Sequence, residues 1–355
     1  FGKHGPHTNP YSFGHFFGMP IKGERIRLVH QWIRYSSGEI PQLEGRLVGP
    51  NSLGNKIHAL RMEPRGSTFA TTEEQNPLRT SDQWFRPVHC TVGPDGSIYV
   101  ADFYDARITH VDPRDNWDRS NGRIHRIRTL ASKTSRSPDL RELSSTQLIE
   151  KLLEKNQWVR RHARRLLWAR SPEPFLHELA SIVKDHDPEN KRSQQQALEA
   201  LWVLQGTFLP ERNPSKMKQI LRAALESPSS NLQRWAIRIA ADHKIDLGPA
   251  LLEIASRTKH AEVISQLASA ARILGDRSLI EALARRGEFS TDSFIPLQIW
   301  WALESLIRHH PLQARELLSC SGFWDTPLFE SVLSERVGRR YMAERSPESL
   351  EMCAR

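Results

Sequence analysis

Side chains able to carry out acid–base chemistry are concentrated in two short stretches of this sequence. The first is GKHGPHTNP near the N-terminus, where His4, His7 and Asn9 lie among glycines and prolines. A neutral imidazole beside a polar partner can take the proton of a hydroxyl group near neutral pH. His4 and His7 are therefore our candidates for catalysis, and Asn9 is a candidate for binding.

The second stretch, at residues 85–128, contains FRPVHC, YVADFYD and NGRIHRI. Its polar groups could bind a ligand at the end of a sheet, where the loops between strands meet. Alternatively, its carboxylates accept hydrogen bonds from loop amides, as aspartates after strands do. The acidic run that follows lacks the glycine and the final glutamate of a calcium-binding EF-hand loop, so we predict no metal site. The binding candidates here are Arg86, Asp102, Tyr104, Asp105 and His110.

Residues 85–128 also carry the signals of short strands separated by turns. Gly93-Pro94-Asp95-Gly96 favours a tight hairpin turn, because Asp-Gly supplies positive φ angles. Four strands with glycine turns form one blade of a β-propeller, and a similar rhythm upstream predicts a second blade. The predicted strands lie at 26–35, 46–48, 56–62, 68–71, 88–92, 97–101, 107–111 and 123–128.

A Ser/Pro-rich linker at 129–143 separates this part from one with a helical period. Ser144 and Gln147 have the spacing of a capping box, which would start the first helix. The second helices of successive hairpins begin about 30 to 38 residues apart, as in helical-hairpin repeats. The predicted fold is a multidomain β-then-α chain, with a partial β-propeller of about two blades at 1–128, a HEAT-like α-solenoid at 144–340 and a tail at 341–355.

The run WVRRHARRLLWAR at 158–170 places arginines on one side of a helix and an apolar stripe on the other. We interpret the arginines as a solvated face, which needs no ligand to explain it. The ten tryptophans are interpreted mainly as core residues between stacked helices. The net charge of +9 permits an acidic partner, but the basic excess is shared along the chain, so nucleic acid is not the predicted ligand.

The composition, with 38% hydrophobic and 26% charged residues, is that of a globular protein. No apolar run approaches the roughly 18 residues of a membrane helix. Cys90, Cys320 and Cys353 are far apart, so the sequence offers neither a disulfide framework nor the Cys-x-x-Cys-His of a c-type haem. The sequence begins at Phe1 inside a polar motif, and we expect a fragment or a processed product whose compartment is left open.

The order of FRPV, GPDG, YVADFYD, DP and NWDRSNGRI resembles a blade of the NHL type and, more specifically, the planctomycete-type membrane-bound dehydrogenases. The upstream segment from Gly2 to Phe16 is similar to a segment of the same family. Proteins of that family join a sugar-dehydrogenase-like propeller, helical repeats and a c-type haem domain. Two positions depart from the family pattern: Phe103 stands where tryptophan is usual, and His89 stands where aspartate is usual.

The resemblance implies an enzyme that oxidises a sugar or alcohol with pyrroloquinoline quinone and passes electrons to a haem c domain or a cytochrome, in the periplasm or cell envelope. It assigns no base among the candidates. This chain would be the C-terminal part of such an enzyme and inactive alone, because two blades cannot close a ring and leave open sheet edges. The alternative is a non-catalytic HEAT-repeat scaffold that binds a protein partner on its helical face.

Overall fold

The computed structural model describes residues 21–23, 31–107, 113–130, 139–170, 174–207 and 209–354. Within these residues the chain begins with strands and continues with helices. The last described strand ends at Ile127, and the first α-helix begins at Ser145. The predicted β-then-α organisation is therefore confirmed.

The first sheet has six described strands: β1 (Ile21–Lys22), β2 (Ile33–Arg34), β3 (Leu47–Asn51), β4 (Lys56–Arg65), β5 (Thr68–Glu73) and β6 (Leu78–Arg79). The long hairpin of β4 and β5 forms its centre and turns at Gly66, whose φ of +58° suits glycine. β3 pairs with the other side of β4, so that Val48 lies opposite Ala59. Neighbouring strands run antiparallel except β1, which is parallel to β5.

The second sheet has three described strands: β7 (Pro87–Val92), β8 (Ile98–Asp102) and β9 (Arg123–Ile127). β7 and β8 form the predicted hairpin, with Gly96 at φ +79° in its turn. Asp95 holds that turn by accepting a hydrogen bond from the amide of Ser97 at 3.1 Å. The strand predicted at 107–111 falls mostly at residues 108–111, outside the described part of the chain, so the four-stranded blade stays a prediction.

The two sheets share one apolar core. Val48 and Ile57 of the first sheet and Ile98 of the second belong to the same buried cluster. The buried Tyr35 donates its hydroxyl hydrogen to the carbonyl oxygen of Gly96 at 2.8 Å, which ties the first sheet to the β7–β8 turn. The described strands form two open sheets and no closed ring, so their assignment as propeller blades stays a prediction.

The helical part opens with the predicted capping box. The Ser144 side chain accepts a hydrogen bond from the amide of Gln147, and the Gln147 side chain accepts one from the amide of Ser144. These bonds satisfy two amides that have no partner within the helix. The described helices are α1 (Ser145–Glu150), α2 (Gln157–Trp168), α3 (Leu176–Lys184), α4 (Lys191–Gly206), α5 (Leu209–Arg212), α6 (Pro214–Glu226), α7 (Ser230–Asp242), α8 (Gly248–Arg257), α9 (Ala261–Leu274), α10 (Arg277–Ala284), α11 (Ile295–His309), α12 (Pro311–Leu318), α13 (Ser321–Trp324), α14 (Ser334–Glu344) and α15 (Pro347–Ala354).

These helices form hairpins that stack in two layers. One layer consists of α2, α4, α7, α9 and α11, and the other consists of α3, α6, α8, α10 and α12. Within the first layer, Ala236, Ala268 and Ala302 are buried at successive helices. Small side chains at these positions let neighbouring helix axes approach closely. The arrangement agrees with the predicted helical hairpins, whereas their assignment to the HEAT class stays a prediction.

The C-terminal residues predicted as a tail are largely helical. α14 continues to Glu344, and α15 packs on α14 and buries Ser349. Pro347 permits this last helix because proline is tolerated in the first turn, where an amide has no helical partner. Among the described residues, no helix has both the length and the apolar character needed to cross a bilayer.

Hydrogen bonds connect the described β part to the helical part in two regions. Near the start of the helices, the Asn156 side chain donates to the carbonyl oxygens of Gly93 at 3.1 Å and Pro94 at 3.0 Å. Farther along, the Asp292 carboxylate accepts hydrogen bonds from the amide and the hydroxyl of Ser67 at 2.8 and 2.5 Å. The two contacts fix the β part against α2 and against the segment that precedes α11.

Candidate functional site

Asp102 ends strand β8 and organises the loops around it. Its side chain is 1% exposed, and its Oδ1 accepts hydrogen bonds from the amides of Arg86 at 2.8 Å and Tyr104 at 2.9 Å. Its Oδ2 lies 3.0 Å from Nε2 of His125 on β9. Because an ionised carboxylate only accepts hydrogen bonds, the contact places the hydrogen of the neutral imidazole on Nε2 and leaves Nδ1 basic.

Asp105 holds the following loop in the same way. Its Oδ1 accepts a hydrogen bond from the amide of Arg107, and its Oδ2 accepts one from the amide of Asp118, both at 2.8 Å. The residue is buried. Asp105 and one oxygen of Asp102 therefore serve loop amides, which is the structural alternative that the sequence left open for them.

The guanidinium of Arg86 is directed at backbone oxygens. It donates to the carbonyls of Ser52 and Ala106, each at 3.4 Å. Burial lowers the pKa of Arg86, and the neighbouring charges of Asp105 and Asp102 oppose that change without cancelling it. Arg86 thus ties the second sheet to the loop after β3 and to the loop after β8.

Tyr104 adopts a φ of +48°, in a region that few residues other than glycine occupy. The hydrogen bond that its backbone N–H donates to Asp102 Oδ1 holds its backbone. Its ring lies 3.5 Å from the guanidinium carbon of Arg123, and the ring of Trp84 packs on it with centroids 5.8 Å apart. The unfavourable backbone conformation is therefore retained by a cation–π contact, an aromatic contact and a charge-assisted hydrogen bond.

His125 is a functional candidate that the sequence analysis missed. Its side chain is 37% exposed, and the ring of Phe85 meets it edge-on with centroids 5.5 Å apart. A buried carboxylate that orients a partly exposed imidazole is the arrangement of a general base and its positioning group. The signal that could have identified His125 is the pairing of β8 with β9. It brings Asp102 and His125 onto one face of the sheet at diagonal positions.

The other predicted site residues have different outcomes. His4, His7, Asn9 and His110 lie outside the described residues, so a site shared with Asp102 stays a prediction. In the acidic run, Asp115 pairs with Arg119 at 2.8 Å and Asp118 accepts from the amide of Ser120 at 2.8 Å. No group of three metal-binding side chains occurs within the described ranges.

The cofactors implied by the resemblance do not fit the described residues of this site. Pyrroloquinoline quinone carries carboxylates that need cationic partners, but Arg86 is directed at carbonyl oxygens and Arg123 lies over the Tyr104 ring. A c-type haem needs paired thiols, whereas Cys90 is buried and apolar surroundings raise the pKa of its thiol to about 12. The Asp102–His125 pair has the geometry of a base with its positioning group, and these described residues offer no partner set for either cofactor.

A second candidate site is lined by residues of three helices of the first layer, α2, α4 and α7, and by Arg34 and Ser36 of the β part. Arg160 and Arg164 of α2 both bind Glu199 of α4, with guanidinium nitrogens 3.1 and 2.6 Å from its two carboxylate oxygens. The Glu199 side chain is 3% exposed, and those of Arg160 and Arg164 are 11% and 18% exposed. The interpretation of these two arginines as a solvated face is wrong, because a buried carboxylate on the next helix draws them inward.

The tryptophans near this ion pair line a groove of about 740 Å³. Trp168 is 40% exposed, and its indole Nε1 donates to the carbonyl of Trp202 at 3.1 Å. The rings of Trp202 and Trp235 meet edge to face at 5.1 Å. The interpretation as core residues holds for the buried Trp300, whereas these three tryptophans present aromatic surface to the groove.

Comparison with known proteins adds one match. A family model described as a domain of unknown function (DUF7133) matches residues 34–131, which cover most of the β part and none of the α-helices. No curated protein and no solved structure matches the chain. The matched range contains both Asp102 and His125, while most residues that line the groove lie outside it.

Proposed function

We propose that this chain belongs to a propeller-type dehydrogenase that oxidises a sugar or alcohol, with the β part supplying a base and the helical part serving protein interaction. The pair formed by Asp102 and His125 is the single observation that carries the catalytic half. The order of the sequence motifs supports the same class of enzyme. The hydride acceptor would be a quinone held by residues other than those described, and electrons would pass to a haem domain or a cytochrome.

In this proposal His125 takes the hydroxyl proton of the substrate at Nδ1. Asp102 fixes the imidazole by holding the hydrogen on Nε2 at 3.0 Å, and its buried charge stabilises the imidazolium that forms. Phe85 limits rotation of the ring through its edge contact. Tyr104, on the loop after β8, and Arg123, on β9 opposite Asp102, contact each other, and together they would meet the other hydroxyls of a sugar.

The proposal is tested by turnover with a panel of sugars and alcohols, using pyrroloquinoline quinone, Ca²⁺ and an artificial electron acceptor. We expect none from residues 1–355 alone and measurable turnover from a natural protein that carries this chain behind further blades. In that protein, His125→Asn should lower kcat by about 100-fold or more, the range of a general base. Full activity of His125→Asn would contradict the role given to this residue.

A second candidate function is a protein-interaction scaffold without catalysis. The observation that favours it is the groove lined by Trp168, Trp202 and Trp235, since the loop carboxylates of the β part are largely engaged by amides. Helical-repeat arrays commonly hold partners on such a face. A protein that carries all its blades, shows no turnover and still binds a partner through the groove would decide for the scaffold.

A further inference from the structure

The groove lies between the two structural parts of the chain. Its walls come from α2, α4 and α7, and Arg34 and Ser36 of the β part close one side. Adjacent packed helices are spaced by about 8–10 Å, so a groove across three of them is about 20 Å long. That length accommodates about six residues of extended chain.

The charges that form the floor are already satisfied. Glu199 binds both Arg160 and Arg164, and Gln195 donates to it at 3.1 Å. Arg160 also donates to the carbonyl of Glu154 at 2.6 Å. These bonds make the floor a rigid support, so a ligand would have to find its charged partners elsewhere in the groove.

Two other guanidiniums in the groove are placed differently. Arg34 of the β part and Arg161 of α2 are exposed and form no ion pair with any described residue. The groove contains four arginines, against Glu199 and Glu211 as its carboxylates, and Nδ1 of His243 lies 2.9 Å from the Glu211 carboxylate. An excess of two positive charges therefore remains, one on the β side and one on the helical side.

The aromatic wall adds surfaces for flat or apolar groups. The guanidinium carbon of Arg164 lies 4.9 Å from the ring centre of Trp202 and 5.4 Å from that of Trp168, which holds both indoles in place. The indole nitrogen of Trp202 is buried and has no hydrogen-bond partner in the described part of the chain. The unused polar groups named so far are all donors, so the ligand they suit is rich in acceptors and carries an aromatic or large apolar side chain.

We infer that the groove binds an extended acidic segment of a partner protein, about six residues long, that carries at least one aromatic side chain. Its carboxylates pair with Arg34 and Arg161, and its aromatic ring packs against Trp168 and Trp202. A nucleic acid fits less well, because its evenly spaced phosphates require a continuous row of cations and the described groove offers these two arginines with Glu211 beside them. The inference rests on the interaction role of the helices and is independent of His125.

The test is a selection with the full chain from a displayed library of random seven-residue peptides, followed by fluorescence anisotropy of the enriched peptides. We expect peptides with two or more Asp or Glu residues and one Trp, Tyr or Phe. Replacing a single paired acid with Asn or Gln should weaken binding by about tenfold, the loss of one charge-assisted pair. Enrichment of no peptide, or of neutral or basic peptides, would overturn the inference.

Matched variants of the chain locate the binding site. Arg161→Gln and Arg34→Gln should each weaken binding about tenfold, whereas Arg165→Gln, an exposed arginine on the same helix outside the groove, should leave it within twofold. Trp168→Ala should weaken binding about fivefold or more, and Trp324→Ala, with similar exposure on α13, should not. Equal effects of the groove and control variants would place the peptide elsewhere.

Two further measurements separate the alternatives. If a single-stranded oligonucleotide binds more tightly than the peptides, and Arg161→Gln weakens that binding about as much, the ligand of the groove is a nucleic acid and the inference of an acidic segment is wrong. The variant His125→Asn should bind the peptides as the native chain does. If the protein has dehydrogenase activity but binds no peptide, this inference alone is rejected. If the peptides bind but the protein has no dehydrogenase activity, only the catalytic proposal is rejected.

Discussion

The loop cluster around Asp102 and the groove around Glu199 both bring carboxylates and guanidiniums together, but they use them differently. In the loop cluster, Asp102 and Asp105 mainly accept hydrogen bonds from backbone amides, two of them 2 residues away and the others 13 and 16 residues away. In the groove, Glu199 binds side chains from another helix, 35 and 39 residues away. Polar density along a sequence therefore indicates loop structure here, whereas the open groove is lined by residues that helix packing brings together.

The largest expected effect concerns the buried ion pairs of the groove. Glu199→Gln leaves Arg160 and Arg164 partly buried without a counter-charge, so we expect the free energy of unfolding to fall by about 3–5 kcal/mol in urea denaturation. The exposed Glu178→Gln on α3 should change it by less than about 0.5 kcal/mol. If both variants lose a similarly small amount of unfolding free energy, the guanidiniums of Arg160 and Arg164 are hydrated when Glu199 is replaced.

The loop cluster should be less sensitive to the loss of one carboxylate. Asp102→Ala removes the acceptor for two amides and for His125, and we expect a loss of about 2–3 kcal/mol in unfolding free energy. The solvent-exposed Asp115→Ala should lose less than about 1 kcal/mol. A loss from Asp102→Ala larger than that from Glu199→Gln would reverse the comparison.

The contact between the two parts should weaken in acid. Burial raises the pKa of Asp292, but hydrogen bonds from Ser67, Phe294 and Ile295 outweigh it and leave the pKa below its ordinary value of 3.8. A lowered folded-state pKa stabilises the fold above pH 3.8, and the contribution is lost as pH falls through the folded pKa. Native chain should exceed Asp292→Asn in stability by about 1–2 kcal/mol at pH 6.

That advantage should shrink steadily once the pH falls below 3.8, as measured by urea denaturation of both chains at each pH. Asp242→Asn is a suitable control, because this exposed carboxylate makes a 3.5 Å contact with Arg238 on its own helix and, among the described residues, no hydrogen bond or ion pair with the β part. A constant difference between native chain and Asp292→Asn down to pH 2.5 or so would mean that its ionisation does not support the contact.

The smallest expected effect is a difference in thiol reactivity between the β part and the helical part, which can be measured without changing stability. Cys90 lies in the core of the β part with the pKa of its thiol raised to about 12, whereas Cys320 and Cys353 are exposed in the helical part. At pH 8 a maleimide should label the two helical cysteines and spare Cys90, as counted by mass spectrometry of the native chain. Rapid labelling of Cys90 would show that the β core opens readily.

Local patterns in the sequence predicted several features that the structure contains. The hairpin turn at Gly93 to Gly96, the capping box at Ser144 and the change from strands to helices each depend on residues close together in the chain. The sequence also brought Arg86, Asp102, Tyr104 and Asp105 together as one group of candidates. The turn and the capping box follow from backbone conformation and hydrogen bonding within a few residues, which single side chains control directly.

The tertiary structure alone decided which polar residues line the open groove and which stabilise the fold. Arg160 and Arg161 are neighbours in the sequence of α2. Arg160 binds Glu199 of α4 in the floor of the groove, whereas Arg161 stays exposed, and this difference depends on where α4 places Glu199. The pair of Asp102 with His125 likewise required the register of β8 with β9. Contacts between elements depend on how helices and strands pack, and one periodic sequence pattern is compatible with many such packings.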